Sequence, residues 1–158
     1  MDERPERSEF DSVDPAPPSD ENDIFSLKST LCDESARMFL RMRALFSLRN
    51  IGGKDAVDAL AAAFESDSAL LKHEIAYVMG QMQDSAAVPH LIDRLADGDE
   101  DVMVRHEAAE ALGAIGDRTA LATLEEFVDD DAVVVAESCE VALDLLEYVS
   151  SKRLNYAD

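Results

Sequence analysis

Tryptophan is absent from the 158-residue sequence, and aromatic residues account for only 6% of it. Only six Gly and five Pro occur, and most of them stand between apolar runs, where turns are expected. Hydrophobic residues nevertheless make up 47%, with Ala and Leu dominant, which favours closely packed helices over a sheet. This length is sufficient for one domain with a substantial core.

Cysteine and long apolar runs are equally scarce. Cys32 and Cys139 are too few for a disulfide framework and lack the C-x-x-C spacing of a metal site, so we expect reduced thiols. No apolar run approaches the roughly 20 residues that a membrane helix requires, and the acidic N-terminal stretch has no signal-peptide core. These absences predict a cytoplasmic protein that does not bind membranes.

Positive charge is the third shortage, because 14 basic residues stand against 35 acidic ones and give a formal net charge of −21. Such a surface would repel a phosphate backbone, which argues against nucleic acid as a partner. It would attract a basic protein or a polyamine-like substrate by electrostatic steering. A requirement for solubility alone, or a halophilic source, would also account for the charge.

The chain divides into a tail and a repetitive domain. Residues 1–22 are polar, acidic and Pro-bearing, which disfavours helix and predicts a disordered tail or linker. Residues 23–158 follow helical periodicity and are predicted to form one domain. Four segments of this domain align at spacings of 31, 33 and 31 residues: Leu40-Arg41-Met42-Arg43-Ala44, Leu71-Lys72-His73-Glu74-Ile75, Val104-Arg105-His106-Glu107-Ala108 and Val135-Ala136-Glu137-Ser138-Cys139.

Each aligned segment opens an Ala- and Leu-rich helix. The first three of these helices end at a Gly or polar turn, which is followed by a second helix and an acidic turn. Such helix pairs cannot bury their apolar faces alone, so stacking between neighbours must supply the core. The period is shorter than the roughly 40 residues typical of HEAT repeats, but the pattern is of that class. We therefore predict an all-α fold of about four short HEAT-type helical repeats stacked as an α-α superhelix (solenoid).

Two His-Glu pairs, His73-Glu74 and His106-Glu107, occupy the same position in adjacent repeats. Neighbouring helix axes lie roughly 8–10 Å apart, so the two imidazoles are expected to meet at one metal ion. Each Glu points about 100° further round its helix than the preceding His, which suits two separate metal centres better than one. No H-E-x-x-H motif is present, which disfavours a zinc protease. Polar residues on a solvent-facing helix edge are the structural alternative.

Other polar residues give weaker signals. Glu110 and Tyr77 lie near the pairs by helical spacing and are candidates for substrate binding, although ordinary surface roles suit them equally. His90 is out of register, and we interpret it as an incidental residue of a second helix. The acidic turns lack the ligand spacing of an EF-hand, so we expect helix N-caps there rather than calcium ligands.

The stretches that carry the pairs, residues 70–82 and 104–116, resemble the signature segments of the deoxyhypusine hydroxylase family of HEAT-repeat di-iron monooxygenases. The resemblance extends over nearly all of residues 12–158. The family has two similar halves, each with two His-Glu pairs, and this chain resembles one half. Residues 12–18, 137–144 and 155–158 are similar to the C-terminal half, so the N-terminal half with its own pairs is missing.

The resemblance implies a deoxyhypusine monooxygenase, or half of one, that hydroxylates deoxyhypusine in the basic loop of a eukaryotic translation initiation factor to form hypusine. It implies Fe(II) in a di-iron centre and makes all four residues of the pairs candidate metal ligands. His73 and His106 would bind one iron, Glu74 would reach a second iron, and Glu107 would lie beside the site.

The histidines of the second iron would come from the missing N-terminal half or from a second copy in a homodimer. The alternative function is a catalytically inactive HEAT-repeat scaffold that binds a basic protein partner. A truncated product or fragment with no activity of its own is a third possibility.

Overall fold

The computed structural model describes residues 4–151, and this part of the chain contains helices but no β-strand. Short 3-10 helices at Ala63–Glu65, Ser85–Ala87 and Arg118–Ala120 join or extend the α-helices. The α-helices are α1 (Ile24–Leu31), α2 (Met38–Ile51), α3 (Gly53–Ala62), α4 (Ala69–Met82), α5 (Val88–Ala96), α6 (Val102–Ile115), α7 (Leu121–Phe127) and α8 (Val133–Ser151).

The helices form two layers. In the inner layer α4 packs against α6 and α6 against α8, while the outer helices α1, α5 and α7 pack on α2, α6 and α8 respectively. One continuous apolar core lies between the layers and runs from α1 to α8. Leu45, Leu71 and Leu112 of the inner helices are fully buried in it, and each such side chain contributes about 1.5–3 kcal/mol. This stack confirms the predicted all-α solenoid.

Side-chain caps begin several of the helices. Asp23, Ser68 and Asp101 each stand immediately before a helix and accept a hydrogen bond from a backbone N–H of its first turn. These N–H groups have no partner within the helix, so the caps stabilise the helix starts by about 1 kcal/mol each. The predicted N-cap role of the acidic turns is confirmed at Asp101.

Helices α4 and α6 end at equivalent positions in the repeat. Gly116 closes α6 in the left-handed region with φ of 79°, and Gln83 closes α4 there with φ of 50°. Gly adopts this conformation without steric cost, whereas Gln does not. The Gln83 side chain compensates by donating a hydrogen bond of 2.8 Å to the carbonyl of Ala114 on α6, which ties the end of α4 to its neighbour.

Glycines let the inner helices approach closely. A Cβ atom at Gly80 of α4 would lie 3.2 Å from Cα of Ala111 on α6, and one at Gly113 of α6 would lie 3.0 Å from Cα of Ala142 on α8. Both distances are shorter than ordinary van der Waals contact. The two glycines occupy equivalent repeat positions, so the same device joins α4 to α6 and α6 to α8.

The predicted disordered tail is wrong for residues 10–19. Ala16 is buried, and Asp14 binds the guanidinium of Arg49 on α2 with an Oδ2–Nη2 distance of 2.6 Å. Phe10 covers the same guanidinium at 4.5 Å, and Arg43 donates to the carbonyl of Pro17 at 3.1 Å. Because the Arg49 side chain is fully buried, it requires a carboxylate partner, which this segment supplies.

The predicted regions 1–22 and 23–158 extend beyond the described part of the chain at residues 1–3 and 152–158. The stretch 155–158 used in the family resemblance therefore lies outside the described residues. Within residues 4–151, Cys32 and Cys139 are free, and burial raises the pKa of the Cys139 thiol to about 11. None of the helices there combines the length and apolarity needed to cross a bilayer.

Candidate metal centre

The register of the repeats brings His73 of α4 and His106 of α6 together, as predicted. Their ring centroids lie 6.3 Å apart, and the ring planes are inclined by 28°. The close contact of Gly80 with Ala111 holds the two helices at the distance that lets both rings face one position. The site is therefore built by helix packing rather than by a loop.

Glu107 completes a group of three donors with the two histidines. Its Oε2 atom lies 3.0 Å from Nε2 of His73 and 3.6 Å from Nε2 of His106. Within the described residues, these three side chains form a group whose donor atoms all lie within 4.8 Å of one another. The Glu107 side chain is only 10% exposed, so the carboxylate sits at the base of the group.

Two expectations about the glutamates need correction. The His and Glu of a pair were expected to point apart, yet Glu107 lies 3.6 Å from His106, and it was expected beside the site rather than within it. Helical angle alone misled here, because a flexible Glu side chain can reach back from α6 across the narrow gap to α4. Glu107 therefore serves the histidine of the preceding repeat as well as its own.

Glu74 lies outside the group of three. Its neighbour at the histidine position of α2 is Met42, which offers neither an imidazole nor a cation. The Glu74 side chain is half-buried, and this burial raises its pKa, as do the nearby carboxylates of Glu107 and Asp14. His73 and Arg49 oppose that rise. Glu74 is thus a desolvated carboxylate that this chain's two histidines do not enclose.

The electrostatics of His73 are dominated by Glu107. The hydrogen bond from His73 to Glu107 raises the pKa of the imidazole; burial lowers it, while the charges of Glu107, Glu74 and Glu110 raise it further. A metal ion binds the deprotonated nitrogen, so it would take the place of the proton that His73 shares with Glu107. The three carboxylates that favour this proton would equally favour a divalent cation.

The sequence analysis missed Ser138 of α8. Its Oγ atom lies 2.7 Å from Nδ1 of His106, the nitrogen that faces away from Glu107. Ser138 stands 31 residues after Glu107, at the equivalent position of the next repeat. This register is the signal that could have identified it, because the Glu107 position already serves the histidine one repeat earlier.

Tyr77 and Glu110, the candidate substrate-binding residues, line a groove beside Glu107. The groove has a volume of about 230 Å³ and a floor of small residues that includes Gly80 and Ala111. Gln81 lines it as well and donates a hydrogen bond of 3.4 Å to the Tyr77 hydroxyl. Both candidates therefore lie next to the three donors.

His90 lies elsewhere, on α5. Its Nε2 atom is 3.6 Å from the exposed carboxylate of Asp58 on α3, and it takes no part in the group of three donors. This position agrees with our interpretation of His90 as an incidental residue of a second helix.

The donor set fits a divalent transition metal. With metal–ligand bonds of about 2.1 Å, adjacent donors around one ion lie roughly 3.0–3.4 Å apart, close to the two Nε2–Oε2 distances. Two imidazoles and one carboxylate with open positions are typical of non-haem Fe(II) oxygenases, and zinc accepts the same donors. One ion held by His73, His106 and Glu107 would retain open positions towards the groove.

Comparison with known families and structures agrees with the fold. The family described as HEAT repeats matches residues 31–103 and 95–144. The human deoxyhypusine hydroxylase structure, solved in complex with glycerol, superimposes with a TM-score of 0.88 at 52% identity, over 92% of this chain and 50% of that one. The complex of CpcE and CpcF of phycocyanin lyase from Nostoc sp. PCC7120 shares the fold with a TM-score of 0.60 at 25% identity, over 78% and 52% of the two chains.

Curated relatives carry the same name as the human structure. Deoxyhypusine hydroxylase of Mus musculus is 54% identical over 93% of this chain and 49% of its own length. The Candida albicans protein of that name is 50% identical over 96% of this chain and 49% of its own length. The chain thus spans about half the length of the curated relatives that it matches. It belongs to the family of HEAT-repeat proteins, and it resembles deoxyhypusine hydroxylases over about half of their length.

Proposed function

We propose that the chain is one half of a deoxyhypusine monooxygenase that uses Fe(II) to hydroxylate the deoxyhypusine side chain of a translation initiation factor. The observation that carries this proposal is the convergence of His73, His106 and Glu107 in a chain that resembles deoxyhypusine hydroxylases. The enzymatic activity, the iron, the substrate and the cytoplasmic location all belong to the proposal.

Each residue of the site has a distinct role in this function. His73 and His106 hold the ion through Nε2, and Glu107 binds it through Oε2. Iron in such a site supplies the reaction with O2 that oxidises a side-chain carbon. Glu110 and the Tyr77 hydroxyl lie in the groove beside Glu107, where they are placed to bind the amine groups of the substrate and orient its aliphatic chain.

A second half supplies the other iron in this proposal. Glu74, the carboxylate outside the group of three, would reach the histidines of the missing N-terminal half or of a second copy of the chain. A two-fold dimer would place each Glu74 opposite the His pair of the partner. The half-length match to the relatives supports a site completed by a second half.

The test combines metal analysis, light scattering and a product assay. The chain is loaded anaerobically with Fe(II), alone and with a separately produced N-terminal half, and given the deoxyhypusine-bearing factor. Mass spectrometry should detect the gain of one oxygen atom, and His73→Ala or His106→Ala should abolish both iron binding and this gain. His90→Ala is the matched control and should change neither. Absence of iron from every combination would contradict the proposal.

The second candidate is a catalytically inactive scaffold that binds a basic protein. The net charge of −21 and the repeated acidic turns support it. Under this function, binding of a basic partner would persist in His106→Ala, would weaken with added salt, and would require no metal. Loss of partner binding in the same variant would favour the enzyme.

A further inference from the structure

The hydroxyl of Ser138 lies between two polar groups and has one hydrogen to share. Its Oγ atom is 2.7 Å from the carbonyl oxygen of Val134, four residues earlier in α8, and 2.7 Å from Nδ1 of His106 on α6. A carbonyl oxygen can only accept a hydrogen bond. The Ser138 hydrogen is therefore donated to Val134, as Ser commonly does within helices. Towards His106 the hydroxyl can only accept.

This direction determines which nitrogen of His106 carries the proton. A neutral imidazole has one N–H, and an accepting Ser138 oxygen requires it at Nδ1. The lone pair is then at Nε2, which faces Glu107. The Nε2–Oε2 distance of 3.6 Å is too long for a hydrogen bond, which agrees with an Nε2 atom that has no hydrogen to donate.

His73 and His106 are consequently prepared in different ways. His73 shares a proton with Glu107 across 3.0 Å, whereas His106 directs a lone pair at the same position. We propose that Ser138 is a positioning residue that fixes the Nδ1–H tautomer of His106 and thereby directs its Nε2 lone pair at the metal. This inference rests on the proposed function only in its last step, the binding of metal.

Other groups near Nδ1 do not take over this role. The Glu110 carboxylate lies 3.6 Å from Nδ1, beyond hydrogen-bond distance, and its side chain is 49% exposed. Ser138 itself is only 5% exposed. The contact of Gly113 with Ala142 holds α6 against α8, so the serine is fixed relative to the ring while Glu110 is free to move in solvent.

The neutral character of Ser138 is part of the argument. At the equivalent position α6 carries Glu107, a carboxylate that serves as a donor to the ion. A second carboxylate at the α8 position would place another negative charge beside His106. A hydroxyl instead accepts the Nδ1 hydrogen and leaves one carboxylate in the group of three. Partners of this kind orient a metal-binding histidine, and their loss typically costs about 10–100-fold in metal affinity.

The test begins with the metal-free protein and the variant Ser138→Ala. Nitrogen-15 NMR of the imidazoles is recorded about two pH units above the ordinary histidine pKa of about 6.5, so that neutral rings dominate. In the unmutated protein we expect His106 as a single tautomer with hydrogen on Nδ1. In Ser138→Ala we expect the Nε2–H form to appear, because Glu107 then becomes the acceptor that remains for this ring.

The second measurement is Co(II) affinity by competition with a chelator. We expect Ser138→Ala to bind Co(II) about 10–100-fold more weakly. The matched control is Ser150→Ala, which removes a hydroxyl that also donates to a carbonyl of α8, at Glu147, on an exposed surface. This control should change neither the tautomer nor the affinity.

Two results would overturn the inference: an Nε2–H tautomer of His106 in the unmutated protein, or an unchanged Nδ1–H tautomer in Ser138→Ala. A protein that binds no Co(II) and no Fe(II) while its His106 tautomer still depends on Ser138 would support the positioning role. The same result would contradict the proposed function of the isolated chain, so the two failures are distinguishable.

Discussion

The junctions α2–α4 and α4–α6 occupy successive places in one stack but are built in opposite ways. At the second junction, Gly80 allows α4 to touch Ala111 of α6, and the helices present His73 and His106 to each other. At the first, the residue equivalent to Gly80 is Arg49. Its buried guanidinium lies between the rings of Phe10 and Phe46, at 4.5 and 4.9 Å from their centroids.

The same contrast holds at the His-Glu positions. In α2 these positions carry Met42 and Arg43, and Arg43 donates to the carbonyls of Pro17 and Pro18. Helix α2 thus uses the ligand positions to hold the N-terminal segment, whereas α4 and α6 use them to gather metal donors. The comparison teaches that a repeat position becomes a ligand position only where a glycine lets two inner helices approach.

The largest effect is expected from Arg49→Ala, which removes the cation of the first junction. Asp14 would remain as a carboxylate that is only 8% exposed, and loss of one partner of a buried pair costs about 3–5 kcal/mol. Chemical denaturation measures the change in the free energy of unfolding. Lys54→Ala, which breaks an exposed pair with Asp58, is the control and should leave the Tm unchanged. An equal response of the two variants would mean that the first junction is not held by Arg49.

Gly80→Val tests the second junction. The added side chain would press on the backbone of Ala111, and overpacking of this kind costs about 1–3 kcal/mol. Separation of α4 from α6 should also weaken metal binding, measured by titration with Co(II). Gly98→Val is the control, because a Cβ atom at Gly98 meets nothing within 4 Å. Undiminished metal affinity in Gly80→Val would break the link between close approach and the site.

Acid should weaken the first junction selectively. Burial of Asp14 opposes its ionisation, but hydrogen bonds from Arg49 and Ser12 and the charge of Arg49 outweigh this, so its pKa is lowered below 3.8. A depressed folded-state pKa gives stabilisation that is complete above 3.8 and is lost as the pH falls through the lower value. The difference in unfolding free energy between the unmutated protein and Asp14→Asn should therefore shrink on acidification. A difference that stays constant between about pH 6 and pH 2 would contradict this.

The smallest effect is expected at His90, which belongs to neither junction. Its imidazole contacts the exposed Asp58 at 3.6 Å, so His90→Gln should change neither metal affinity nor the Tm. The same substitution at His106 should reduce metal affinity strongly. Comparable losses in the two variants would show that the metal does not discriminate between the inner and outer helix layers.

Much of the fold could be predicted from the sequence because its signals are local. Periodic Ala and Leu residues, the Asp101 cap and the turns at Gln83 and Gly116 each act within one repeat. The pairing of His73 with His106 was predictable for the same reason, since the repeat period alone places them on one edge of adjacent helices.

Features that depend on contacts between distant residues could not be predicted in this way. The segment around Asp14 reads as disordered from composition, and its partner Arg49 is 35 residues away. The position of Glu107 depends on how closely α4 and α6 approach, which no helical angle within one helix specifies. Ser138 reaches His106 across the α6–α8 contact, so it became visible only once that contact was known.

The central claim is that Glu107, rather than Glu74, completes the donor set of His73 and His106. The most direct test is the affinity of the chain for Fe(II) or Co(II) in two matched variants, Glu107→Gln and Glu74→Gln. The structure predicts one ion bound per chain, a strong loss of affinity in Glu107→Gln, and affinity close to that of the unmutated protein in Glu74→Gln. An equal or greater loss in Glu74→Gln would contradict the claim.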